Sequence, residues 1–201
     1  LELLGKIKRR RVELKNRKGE TMHTDYPVCP KTPPDFEDLS FRNGEAFSGP
    51  PTFEAAHIDL LLGWKDGPVG SALEEALVRE KGGNGTRMKA VMDCPKILVV
   101  PTVTIRTLRQ EQHVFTHATG GIIAATQKLI ELGILPEPIL DEISMIANVF
   151  VHPSASNPKR IRLNNFKAMG AAVKKALEHQ PTLEEVLREK ASARHPFRYT
   201  P

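Results

Sequence analysis

The ten residues FEAAHIDLLL, Phe53 to Leu62, followed by GWKDGP through Pro68, decide the reading of this chain. Side chains alternate between the two faces of a strand, so Ile58, Leu60 and Leu62 share one face and His57 and Asp59 the other. The glycines and proline that follow end the strand with turn chemistry. An apolar face of this kind must be covered by helices. The opposite face then carries a histidine and a carboxylate about 6.6 Å apart along the backbone.

Working outward, Val69 to Glu80 has Leu73, Ala76 and Leu77 on one helical face, which predicts a helix lying on the sheet. The glycine-rich run KGGNG, residues 81–85, closes it. Met88–Met92 and Lys96–Arg106 are apolar and β-branched and predict two more strands, with Pro101 implying an edge or bulge position. Thr107 is the expected N-cap of a long helix over Leu108–Leu132. Its inner side is Val114, Ile122, Ile123, Leu129 and Ile130, and Gly120 and Gly121 mark a weak point in its middle. EISMIANVFVH, residues 142–152, predicts the last strand, and Asn164–Glu178 a further helix. Thr182 and Glu185 form a capping box for a short closing helix to Ala191. The order β-β-α-β-β-α-β-α predicts an α/β domain of the α+β two-layer kind, a mixed sheet with helices mainly on one face.

Composition bounds the function. The chain has 201 residues, 40% apolar and 26% charged, which suits one globular domain with tails. Its net charge of +5 and pI near 9.3 come from one place. Residues 1–20 hold eight basic side chains against Glu2, Glu13 and Glu20, which leaves the remainder balanced, 21 against 21. The arm reads as solvated chain, with polyanion binding as its alternative, and the neutral remainder argues against a nucleic-acid partner for the folded body. The chain opens on Leu1 and its first methionine is Met22, so the leading residues are set aside from the fold reading. Residues 1–42 form a basic and proline-rich N-terminal extension, 43–179 the domain, and 180–201 a C-terminal helix and tail.

Cys29 and Cys94 form neither a metal-ligand spacing nor a disulfide framework. The apolar runs are far shorter than the roughly 20 residues of a membrane span. No apolar core with a small-residue cleavage site follows the basic arm, so a cytoplasmic location is expected.

His57 and Asp59 are the first chemical candidates. Imidazole titrates near neutrality and both donates and accepts protons, and a carboxylate orients it. The spacing alone leaves open whether the pair performs acid–base chemistry or only faces solvent. His113 and His117 stand at i and i+4, a metal-compatible spacing, but without patterned carboxylates around them they read as a surface helix face, and no metal is expected. His152 reads as a structural or interface histidine, and Trp64 as core cover or a stacking surface.

The segment from Gly44 to Gly170 resembles the formaldehyde-activating enzyme family nearly end to end. The resemblance rests on GEAFSG (44–49), AHIDLLLG (56–63), KDGPVGSAL (65–73), KAV (89–91), TVTI (102–105), Arg109–Gln110 with Phe115, and NVFVHPSA (148–155). REKASARHPF, residues 188–197, is similar to the C-terminal extension of bacterial members. The resemblance implies a ribosomal protein S5 domain 2-like fold and a homopentamer with active sites between adjacent subunits. It also implies the condensation of formaldehyde with tetrahydromethanopterin to the methylene-bridged pterin and water, in one-carbon metabolism and formaldehyde detoxification. No tightly bound cofactor is implied, the pterin being a co-substrate. By position the family's acid–base histidine falls on His57, a substrate-binding aspartate on Asp59, and a pterin-contacting threonine on Thr104. Thr102 stands where the family carries a pterin-contacting lysine, Thr119 where it carries a glutamine, and Lys89 at a leucine position, while the usual GPAQ reads THAT over 116–119. Those differences leave a second expectation standing beside the first: a divergent paralogue that binds another pterin or amine, or senses formaldehyde without turnover.

Overall fold

A computed structural model describes residues 36, 39–50, 52–80, 88–180, 182, 184, 187 and 188, together with the backbone of 9–15, 21–27 and 81. β1 (Arg9–Lys15) and β2 (Thr21–Pro27) pair antiparallel as a sheet of their own, so the basic arm read as solvated chain holds one strand of a two-stranded sheet. The main sheet follows, with β3 (Arg42–Ser48) and β4 (Ala56–Trp64) antiparallel. α1 (Pro68–Lys81), β5 (Lys89–Asp93) and β6 (Lys96–Pro101) come next. A helical stretch runs from α2 (Leu108–Gln112) through a π-helical segment (His113–Ala118) into α3 (Thr119–Glu131). A single turn, α4 (Glu137–Leu140), leads to β7 (Ile143–Val151) and α5 (Pro158–Leu177). The spatial order is β3-β4-β7-β6-β5, antiparallel except for the parallel pair β6 and β7, which makes the sheet mixed.

The central strand behaves as its alternation requires. Ile58, Leu60 and Leu62 are wholly buried, in one core with Val114, Ile122, Ala168, Met169 and Val173 from the helices. Each such aliphatic side chain contributes about 1.5–3 kcal/mol by leaving water. The strand begins three residues later than its composition suggests, because Phe53 and Glu54 sit in a turn, and it continues through Trp64, which is buried in the core and is not a stacking surface. α1 covers part of the other face, where Val69 and Leu73 pack on Leu98, Ile146 and Leu61. Helices therefore lie mainly, but not solely, on one face.

Three further boundaries differ from expectation. β6 is interior and ends at Pro101, which cannot donate to a ladder, so 102–106 is loop rather than strand, and the edge position expected for β6 belongs to β5. α5 begins six residues early, with Asn157 as N-cap accepting from the Arg160 N–H and Pro158 at the first helical position, where its missing N–H costs nothing. The long helix departs from α geometry at His113–Ala118 and not at its glycines. Gly121 has a packing reason: a Cβ there would lie 2.3 Å from the Arg162 carbonyl oxygen of α5. Thr107 forms the expected cap as a full capping box with Gln110. The capping box of Thr182 and Glu185, and most of the tail after it, lie outside the described residues. Among the described residues no helix is long and apolar enough to cross a membrane.

Candidate active site

Cross-strand register assembles the site. His57 pairs with Phe47 on β3 and Phe150 on β7, and Asp59 pairs with Glu45 and Asn148. Directly opposed residues point to the same face about 4.5–5.5 Å apart at Cβ, so His57 stands between two phenylalanines with carboxylates one step along. This is the part of the face that α1 leaves open, since α1 packs further along, over Leu61 and Ile146. The His57 side chain keeps 22% of its exposure, Asp59 43% and Glu45 64%. A histidine so placed is flanked by aromatic residues and remains partly exposed.

The nearest partner of His57 is on the neighbouring strand. Its Nε2 lies 2.7 Å from Glu45 Oε1, while Asp59 Oδ1 is 3.5 Å from the same nitrogen. The sequence pairs His57 with Asp59 and misses Glu45. Alternation in GEAFSG, with Ala46 turned to the core, is enough to place Glu45 outward. That β3 lies beside β4 in this register is not written in the pattern. Among the described residues this is the one set of three metal-capable side chains whose ligand atoms all lie within 4.8 Å of one another. The same arrangement can hold a divalent ion or orient an imidazole for proton transfer.

The loop entering β4 is tied to the helix layer. Glu54 Oε1 accepts from the N–H groups of Ser156 and Asn157 at 3.2 and 3.3 Å, and the Asn164 amide donates to the Glu54 carbonyl at 2.7 Å. The Ser156 N–H above all holds the Glu54 carboxyl below its ordinary range, against a smaller opposing effect of burial. These bonds fix the backbone three residues ahead of His57.

The other sequence candidates are spread out. Thr102 follows β6, with its N–H donating to the Val149 carbonyl at 3.1 Å and its hydroxyl 3.4 Å from the same oxygen. Thr104 is exposed in the loop before α2. Lys89 pairs with Val99, a residue of the main core, and so lies on the helix-covered face, opposite His57. Thr119 is buried in the helix layer, where its hydroxyl donates to the Val114 carbonyl at 3.0 Å. Of the named binding residues, Asp59 is the one whose carboxylate lies 3.5 Å from the His57 ring. His152 stacks on Phe53 with ring centroids 4.6 Å apart, and its Nδ1 accepts from the Ser154 N–H. His113 is buried rather than on a surface face. Its ring lies 5.6 Å from that of His117, and among the described residues neither of its nitrogens has a partner in full hydrogen-bond geometry.

The family described as formaldehyde-activating enzyme (Fae) matches residues 43–198, and so takes in the main sheet except for Arg42. The chain belongs to the formaldehyde-activating enzyme family. It is 37% identical over 164 residues to the bifunctional enzyme Fae/Hps of Archaeoglobus fulgidus, covering 79% of this chain and 41% of that protein. To the bifunctional enzyme Fae/Hps of Methanothrix thermoacetophila it is 34% identical over 160 residues, covering 78% and 41%. To that of Methanosarcina mazei it is 31% identical over 159 residues, covering 77% and 40%. The chain thus spans about two fifths of the length of these relatives.

Proposed function

We propose that this member of the formaldehyde-activating enzyme family condenses formaldehyde with tetrahydromethanopterin, or a related tetrahydropterin, and that His57 is its acid–base group. The observation that carries this is the placement of His57: on the part of the sheet face that α1 leaves open, between Phe47 and Phe150, with two carboxylates at one ring nitrogen. An amine nitrogen of the pterin adds to the formaldehyde carbon and gives a carbinolamine. Protonation of its hydroxyl by the His57 imidazolium breaks the C–O bond, water leaves, and the nitrogen lone pair forms the iminium. The second amine then closes the ring and releases a proton, which returns to His57. General acid–base catalysis of this kind is worth about 10²–10⁴-fold. The aromatic flanks suit the flat heterocycle of a pterin.

In this reading the pterin is a co-substrate and no cofactor is tightly bound. Lys89 lies on the other face of the sheet from His57 within one chain, so a contact from it to the bound pterin calls for a second copy, in keeping with a homopentamer whose sites lie between subunits. Thr119 supports the second reading, a paralogue for another pterin or amine, because its hydroxyl is already used inside the helix layer. The experiment that separates the two is the rate of methylene-pterin formation from formaldehyde and tetrahydromethanopterin with and without the protein. A rate well above the spontaneous one is expected. A rate equal to background from folded protein rejects tetrahydromethanopterin as the substrate.

A further inference from the structure

A carboxylate oxygen accepts hydrogen bonds and does not donate them. The ring atom facing Glu45 and Asp59 is Nε2, at 2.7 and 3.5 Å, so Nε2 must carry a hydrogen whether the ring is neutral or cationic. In the neutral ring the lone pair is then on Nδ1. Among the described residues no protein group is hydrogen-bonded to Nδ1, so among them that atom is unclaimed.

Glu45 suits the holding role better than Asp59 for a geometric reason. Asp59 shares β4 with His57, two residues along, and its short side chain reaches only 3.5 Å from the ring. Glu45 stands diagonally across on β3, opposite Asp59, and its extra methylene brings the carboxylate to hydrogen-bonding distance. Cross-strand pairing of the edge strand β3 with β4 sets that diagonal.

We infer that Glu45 is the positioning residue of the site, holding His57 as the Nε2–H tautomer, and that Nδ1 is the atom that gives and takes the catalytic proton. The inference rests on the reading of His57 as acid–base group. In the dehydration step the Nδ1–H bond breaks as the proton passes to the carbinolamine oxygen, the C–O bond breaks with its electron pair on the departing water, and the ring is left neutral with its hydrogen on Nε2, held by Glu45. Ring closure releases one proton, and Nδ1 takes it back. Glu45 stays ionised throughout and touches neither pterin nor formaldehyde.

The test uses the full chain labelled with ¹⁵N-histidine, above about pH 8, where an ordinary imidazole is neutral. His57 is assigned by the signals that vanish in His57→Ala. The expected wild-type spectrum shows a protonated Nε2 and an unprotonated Nδ1, and in Glu45→Gln the ring becomes a mixture of tautomers. Glu45 is largely exposed, so this variant folds. With formaldehyde and tetrahydromethanopterin, Glu45→Gln should lose about ten- to a hundredfold in kcat with KM for the pterin within about twofold, since only the orientation of the proton carrier changes. Asp59→Asn should leave the tautomer as it is. An Nδ1–H tautomer in the wild type, a Glu45→Gln variant with wild-type tautomer and kcat, or a tautomer moved by Asp59→Asn instead would each overturn the inference. Wild-type turnover by His57→Ala would sink the acid–base reading itself, a separate result, and the spectra need no substrate.

Discussion

A Cβ added to Gly121 would lie 2.3 Å from the carbonyl oxygen of Arg162, whereas one added to its neighbour Gly120 would meet nothing nearer than 3.7 Å, at the end of the Arg162 side chain. The two glycines are adjacent in α3 and have opposite reasons to be replaced. Gly121→Ala forces α3 and α5 apart and should destabilise the domain by about 1–3 kcal/mol. Gly120→Ala relieves the helix of a flexible residue and should stabilise it by about 0.5–1 kcal/mol. Urea unfolding midpoints of the two variants should move in opposite directions, and a shift of the same sign in both would refute the packing account.

His57→Ala should reduce turnover of formaldehyde and tetrahydromethanopterin by about 10²–10⁴-fold while leaving the thermal midpoint near that of the wild type. The ring lies on the part of its sheet face that α1 leaves open and keeps 22% of its side-chain exposure. Loss of the folded state in this variant, rather than of turnover alone, would show that the histidine is a structural element.

His113 supplies a pH dependence of stability. Burial above all, then the facing His117 and to a lesser degree Arg109, push its imidazole below the ordinary value of 6.5, while the Ala155 backbone and the Glu54 carboxylate act weakly the other way. A histidine lowered in the folded state is neutral in both states above its unfolded value, so stability is full there. As pH falls through 6.5 toward the folded value, the unfolded chain takes up the proton first and stability declines. Urea titrations at about pH 7.5 and pH 5.5 should show that decline in the wild type, and a flatter response in His113→Leu. An unchanged slope in that variant would assign the effect elsewhere.

Glu54 acts in a separate, more acidic window with the same sign. Its carboxyl lies below the ordinary 4.5, chiefly through the Ser156 N–H, so its contribution is present above that value and lost as pH falls through the folded one. Glu54→Ala should remove this acid-range component and hasten amide exchange at Ser156 and Asn157, whose N–H groups lose their acceptor. Exchange at wild-type rates would mean that the loop is held by other bonds.

Much of the molecule is legible in its sequence because periodicity is a local property. The alternation in FEAAHIDLLL is enough to separate Ile58, Leu60 and Leu62 from His57 and Asp59, and burying the aliphatic set leaves the polar pair on the other face. The Thr107 cap and the helix read from Val69 are likewise legible, since caps and amphipathic faces depend on residues within a few positions. The strand order is not local. That β3 adds beside β4, in the register setting Glu45 diagonal to His57, depends on contacts closed across the whole sheet, so the nearest carboxylate to the histidine is found only in the fold. The same holds for Lys89, Thr119 and His113. Their types suggest exposed or ligand-facing groups, but the sheet face and helix side to which packing assigns them set Lys89 apart from His57 and bury the other two. Sequence determined which residue could carry a proton. Tertiary structure decided which neighbour holds it in place, because hydrogen bonding requires atoms within about 3 Å and only packing brings distant residues that close.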